Sequence, residues 1–231
     1  MALDAALLDE PKPAGPARAK GARDPEQTSS AILAAAVHEF TQKGYGGARI
    51  DEIALRSGAN KRMIYHYFGG KEALYLAALE QVYASIRSAE AELRLGDRDP
   101  VDAVRELTRF TWNYFLAHPE FLSMLGTENL LKAKHLKRST RILGMHSPLV
   151  AMLAEILDRG AAEGRFRQGV DPVRLYVTIA SLGFFYLSNR YTLSAIFRRD
   201  LADPRELDAW GRHIVEVVLA HLQPRPQQVP V

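Results

Sequence analysis

The chain has 231 residues, 47% hydrophobic and 25% charged, enough to bury the core of one or two small soluble domains. It has no cysteine, which excludes disulfides, thiolate metal sites and cysteine catalysis and fits a reducing interior, and no uninterrupted apolar run reaches the roughly 18–20 residues of a membrane span. Net charge is only +3, so any case for a polyanionic partner rests on where the cations sit.

Residues 1–25 read as a disordered arm, rich in Ala, Pro and Gly without sustained periodicity. Acidic residues precede its first lysine and it has no apolar h-region, so it is not a secretory signal and the chain is expected to be cytoplasmic. Lys12, Arg18, Lys20 and Arg23 give residues 11–23 four positive charges and no negative ones. The arm is either a solubilising tail or a basic arm that reaches phosphates or the minor groove of DNA. Pro25 to Lys43 reads as the first helix, with Ile32, Leu33, Ala36 and Phe40 as its apolar stripe. Gly44 ends it, and Gly46 and Gly47 continue the turn.

The stretch from Gly47 to Glu72 reads as two short helices joined by a tight turn, then a turn into a fourth helix. Ile50, Ile53 and Ala54 share one face of the first short helix. Gly58 follows Ser57 where that helix should stop, because glycine takes the left-handed conformation without a Cβ penalty. Asn60 is a good N-cap for the next helix, and Ile64 and Phe68 form its inward stripe. The other face carries Lys61, Arg62, Met63, His66 and Tyr67, with Tyr65 near the boundary. Long cations reach phosphates and guanine edges, and apolar groups meet thymine methyls. A basic face alone favours a merely solvated helix; the helix–glycine–turn–helix order reverses that and favours a recognition helix in the major groove. Lys71 opens the fourth helix, where free N–H groups and the dipole suit a phosphate; its alternative is a solvated lysine. That helix runs to about Leu95, long enough to be a connecting rod.

The run from Gly58 to Leu74, GANKRMIYHYFGGKEAL, resembles the signature of the tetracycline-repressor (TetR) family of transcriptional regulators. The resemblance extends back to about Thr28. Past Leu79 it is one of helical layout and position. Two positions depart from the family pattern: Arg49 stands where Thr or Ser is common, and Gly70 where a small polar cap is common. The resemblance implies an all-α protein of two domains. A helix-turn-helix DNA-binding domain spans residues 26–80, a helical effector-binding and dimerisation domain spans 81–223, and a tail at 224–231 is disordered. Lys61, Arg62, Met63 and His66 are the candidates for base edges, and Arg49, Tyr65, Tyr67 and Lys71 for the DNA backbone. Asp51 either accepts from a cytosine amino group or simply faces solvent.

Beyond the breaker at residues 96–100 the chain reads as helix over Pro100–Ala117, Pro119–Leu131, a segment near Arg138–Gly164, Pro172–Phe197 and Pro204–Leu222, with Pro at starts and Gly at ends. The aromatic residues between Leu107 and Leu125 spread around their helices, so they are either bundle core or the lining of a cavity. The resemblance implies a small-molecule pocket here. Trp112, Phe115, Phe121, Met124, Met145 and Phe185 are its candidate walls, and Asn129 and Asn189 its candidate polar groups. The basic run Lys132, Lys134, His135, Lys137, Arg138 and Arg141 is either a solvated face or a site for an anionic effector. The resemblance also implies a homodimer through the helices at 172–197 and 204–222, and a two-fold dimer would double the contacts on a palindromic double-stranded operator.

Seven histidines lie scattered without metal spacing, and there is no GxSxG, P-loop or GxGxxG. No cofactor, metal or catalysis is expected. The reading is a DNA-binding regulator, a repressor released from its operator by a small molecule. The alternatives are an activator of the same fold, a non-specific architectural DNA binder without effector, and a helical enzyme or lipid carrier with a vestigial first domain.

Overall fold

The computed structural model describes residues 24–224. The basic arm up to residue 23 and the tail from residue 225 lie outside the described residues. Within them the chain forms α1 (Pro25–Gly47), α2 (Ile50–Ser57), α3 (Lys61–Phe68), α4 (Lys71–Ala91), α5 (Pro100–Ala117), α6 (Pro119–Leu130), α7 (Thr140–Ala162), α8 (Pro172–Phe197) and α9 (Pro204–Leu222), with short 3-10 turns at Leu95–Asp97 and Leu136–Arg138.

One local device starts four of these helices. Asp24, Asp99, Asp171 and Asp203 each sit at the N-cap, each accepts a backbone N–H of the first turn, and each is followed by proline. The carboxylate satisfies an orphan donor and complements the dipole, while proline lacks the N–H that would otherwise be unpaired. Two helix ends differ from the sequence pattern. Helical bonding in α1 continues to Gly47, past a kink at Gly44, whose φ of 62° and ψ of 179° are not helical. The fourth helix stops at Ala91 rather than near Leu95, because the chain turns through a left-handed Arg94 into a 3-10 turn.

Helices α2 and α3 stack on α1, and α4 carries the chain away from them. The main core joins Ile32 and Phe40 of α1, Ile53 of α2, Ile64 of α3, Tyr75 and Ile86 of α4, Met124 of α6 and Ile214 of α9. It therefore passes through residue 80, the boundary expected from the sequence, without a break. A second core joins Leu107 of α5, Leu153 of α7, Leu175 of α8 and Val218 of α9. Helix α6 packs across α1, where the Ser123 hydroxyl donates to the Thr41 carbonyl at 2.7 Å.

A buried carboxylate fastens the link from α6 to α7. Glu128 accepts the backbone N–H groups of His135 at 2.6 Å and Leu136 at 2.9 Å, and lies 3.1 Å from His135 Nδ1. The His135 ring packs against Tyr45 of α1 and Tyr75 of α4, with centroids 4.7 and 4.8 Å away. The basic run is thus docked on α4: Arg138 donates to Glu72 at 2.6 Å, Ser139 to Glu80 at 2.6 Å, and Arg141 stands 3.9 Å from Glu80. An open anion site built from the whole run is not what forms, because Glu72, Glu80 and Glu128 engage Arg138, Arg141 and His135. Replacing Glu128 by Ala leaves two buried N–H groups unpaired. Urea unfolding should show the variant destabilised by roughly 3 kcal/mol.

Candidate nucleic-acid interface and effector region

The second short helix is held from three sides. Gly58 closes α2 in the left-handed region at φ 65°, ψ 21°, and Asn60 caps α3 by accepting the Met63 N–H at 3.0 Å. Ile64 is fully buried and anchors α3 on the core. At the entry to α2, the Arg49 N–H donates to Glu39 of α1 at 3.2 Å, and Lys43 stands 2.9 Å from the same carboxylate. Burial raises the Glu39 pKa, but the bonds from Lys43 and Arg49 outweigh it and hold the group below the ordinary carboxylate value.

This frame turns Lys61, Arg62, Tyr65 and His66 to solvent, with Tyr65 54% exposed. They form one polar, cationic strip along two turns of helix. Met63 and Tyr67 are a correction to the expected face: both are half-buried and pack against the core. They stand one position before Ile64 and Phe68 on the helix, so they border the inward stripe. The His66 and Tyr67 rings meet edge to face at 5.3 Å. Asp51 has a partner inside the protein: it forms an ion pair with Lys61, tying the first turn of α2 to the first turn of α3. Arg49 is exposed, and Lys71 is half-buried with Nζ 5.0 Å from the centre of the Tyr45 ring. Gly70 has φ 145°, a backbone shape that residues with a side chain rarely adopt. That conformation accounts for a glycine where a polar cap is common.

Residues 32–78 match the bacterial regulatory proteins of the tetR family, and residues 100–218 match the tetracyclin repressor-like C-terminal domain. The chain is 42% identical to the HTH-type transcriptional repressor NicS of Pseudomonas putida over 87% of its own length and 95% of that protein. This chain belongs to the TetR family of transcriptional regulators. Its fold is shared with a transcriptional regulator of Streptomyces coelicolor, 25% identical, with a TM-score of 0.64 over 86% of this chain and 99% of that one. It is shared too with FadR of Bacillus subtilis, solved in complex with stearoyl-CoA, at 16% identity, with a TM-score of 0.59 over 84% of this chain and 99% of that one. Among the described residues no helix is long and apolar enough to cross a membrane.

The TetR-family C-terminal helices do not bring the eight expected effector residues together. Phe115, Phe121 and Met124 are buried in the core, Phe115 stacking on Phe121 at 5.7 Å. Met145 is half-buried on α7. Asn129 and Asn189 donate back to their own helices, to the carbonyls of Leu125 and Phe185. Phe185 is 59% exposed on the outer side of α8. Trp112 lines a groove of about 750 Å³ between α5 and α9, and Phe121 a separate one of about 420 Å³ between α1, α4 and the start of α6. The spread of aromatics around α5 therefore reflects packing against several neighbouring helices.

Sequence reasoning also missed a buried polar cluster. Arg87 of α4 donates to the Tyr176 hydroxyl of α8 at 2.6 Å, lies over that ring, and stands 2.8 Å from Glu90. The spacing of Glu90 with Ile86 and Arg87 on the inward face was its one available signal. Burial pushes the Glu90 carboxyl up to about 7, against the pull of Arg87. A raised carboxylate pKa stabilises the fold at acid pH and loses that contribution as pH rises through the folded value. The melting temperature of the native chain should therefore fall relative to that of Glu90→Gln as pH rises from about 5 to about 8. Parallel melting curves across that window would show that Glu90 ionises normally.

Proposed function

We propose that this TetR-family regulator is a cytoplasmic repressor that binds a palindromic operator as a homodimer and leaves it when a small molecule binds the C-terminal helices. The observation that carries the reading is the exposed strip Lys61, Arg62, Tyr65 and His66 on a helix rigidly seated by Ile64 and Asn60. Rigid seating matters because base readout depends on sub-ångström placement of donors in the groove. Arg62 and His66 are the base-reading pair, since Lys61 must first leave Asp51. Arg49, Lys71 and Tyr65 contact the backbone, with Met63 and Tyr67 supporting from beneath. Repression is supported by NicS, a named repressor, and ligand control by FadR, whose solved complex holds stearoyl-CoA.

Dimerisation is supported by an apolar face on α8. Val173, Val177, Phe185 and Ile196 are each at least half exposed, and they recur near helical spacing along one side of α8. Val217 of α9 is exposed as well. Phe185 and Asn189 thus belong to a face that a second copy covers, rather than to an effector pocket. Release is a population shift. A ligand that prefers a dimer with wrongly spaced recognition helices weakens operator binding by no more than its differential affinity for the two states.

Selection of random duplexes by the purified protein should enrich a palindrome with half-sites about one helical turn apart, or a multiple of it; an unenriched pool would point to a non-specific binder. On the selected site, Arg62→Ala and His66→Ala should each cost about 1–3 kcal/mol while non-specific binding falls less. Equal losses on both kinds of DNA would restrict these side chains to phosphate contact. Val177→Glu should convert the dimer to monomer in sedimentation and weaken operator binding at least about tenfold; an unchanged dimer would place the interface elsewhere.

A further inference from the structure

The groove between α5 and α9 has features that core packing does not require. Its volume of about 750 Å³ falls in the range of roughly 300–1,000 Å³ typical of small-molecule sites. Arg109, Trp112 and Asn113 of α5 stand on its wall, opposite Gly211 and Glu216 of α9. Positions 109, 112 and 113 are three and four apart, so their polar groups share one face of α5.

Trp112 is only 3% exposed, yet its indole N–H has no hydrogen-bond partner among the described residues. Trp210 behaves ordinarily, its Nε1 donating to the Leu182 carbonyl at 3.2 Å. The Nε1 atom is not one of the buried unpaired atoms, so this donor opens on the groove, where an acceptor can meet it. The indole edge lies against Gly211, where a Cβ would stand 2.7 Å from Nε1. Glycine at 211 therefore leaves that edge uncovered at the wall of the groove. The cations differ in the same way. Arg105 is engaged by Asp102 and Arg212 by Asp208, whereas Arg109 is exposed and has no ion-pair partner among the described residues.

We propose that the groove between α5 and α9 binds a small planar aromatic carboxylate, its anionic head taken by Arg109 and the Trp112 indole N–H and its ring lying against Leu116, Leu207 and Val215. A guanidinium and an indole N–H three residues apart on a helix offer donors that a carboxylate can bridge. Across the groove on α9, Asp208 is engaged by Arg212, whereas Glu216 faces the anion and repels it, so it limits affinity and selects against dianions. The inference rests on the ligand-responsive reading above. It adds the site, the ligand class and a route: a ring inserted between α5 and α9 moves α9, which lies beside the α8 face proposed to pair with the second subunit.

The test uses the full-length 15N-labelled protein, whose two tryptophans give two indole N–H signals, assigned with Trp210→Phe. Benzoate and 1-naphthoate are titrated beside benzamide and 1-naphthamide. The acids should shift the Trp112 signal saturably and leave Trp210 in place, and the neutral amides should not. Arg109→Gln should weaken the acids at least about tenfold, and Glu216→Gln should tighten them. The proposal is overturned if neither acid gives a saturable Trp112 shift, if amides bind as well as acids, or if Arg109→Gln binds unchanged. A Trp112 signal that moves on protein dilution and ignores the acids gives the groove to a second copy and likewise overturns it. Operator binding is measured on the same samples. Operator binding without acid binding removes this site and leaves the regulator intact. Acid binding that leaves operator affinity unchanged keeps the site and removes ligand release.

Discussion

Glu128 sits where three parts of the chain meet, and its buried carboxylate is the polar anchor among the contacts that join the C-terminal helices to the DNA-binding helices. It accepts two backbone N–H groups from the link between α6 and α7 and orients His135. The His135 ring then fills the space between Tyr45 at the end of α1 and Tyr75 on α4. Such a buried acceptor allows little slack, because displacing it strands several polar groups at once. A shift of α6 is therefore passed on to the end of α1 and to the first turns of α4. The ion pairs from Arg138 and Arg141 to Glu72 and Glu80 add a softer layer of the same attachment on the solvent side, where salt screens them.

The recognition helix inherits its position from contacts of a different kind. Asn60 and Gly58 fix where α3 begins, and Ile64 fixes which side faces inward. The Glu39 bond to the Arg49 N–H sets the entry to α2. None of these groups reaches solvent as a reader of DNA; they place the side chains that do. The Asp51–Lys61 pair has a second effect. On the proposed reading an operator phosphate competes with Asp51 for Lys61, which weakens the attraction of this cation for DNA. Arg62 carries no such debt and is the stronger candidate for sequence readout.

The outer face of α8 and the groove beside α9 address two further needs of a regulator. Exposed aliphatic and aromatic side chains on one side of a helix favour a second copy. The adjoining groove, with an unpaired cation and a free indole N–H, favours a small anion instead. The groove lies between α5 and α9, both of which pack on α8, so the site proposed there and the dimer face proposed on α8 share neighbouring helices. The Arg87–Glu90–Tyr176 cluster lies deeper, where the ionisation of Glu90 near neutral pH links stability to acidity.

The amino-acid sequence by itself determined the helical class, the helix-turn-helix, the caps and the cationic strip, because these depend on residues within one or two turns of each other. The order Ser-Gly-Ala-Asn, the pair Ile64 and Phe68, and the four Asp-Pro starts all act through local hydrogen bonds and helical periodicity. It also made the TetR likeness legible, since that motif lies in one continuous run. Only the tertiary structure decided which polar groups meet across distance. Lys61 found Asp51, the basic run found Glu72 and Glu80, and Glu128 found His135, none of which periodicity can assign. For the same reason the eight candidate effector residues do not converge. Aromatic composition marks a helix that packs on several neighbours, whereas a binding site needs space and unpaired donors. Those appeared around Trp112 and Arg109 only once α9 was laid against α5, with Gly211 leaving the indole edge uncovered.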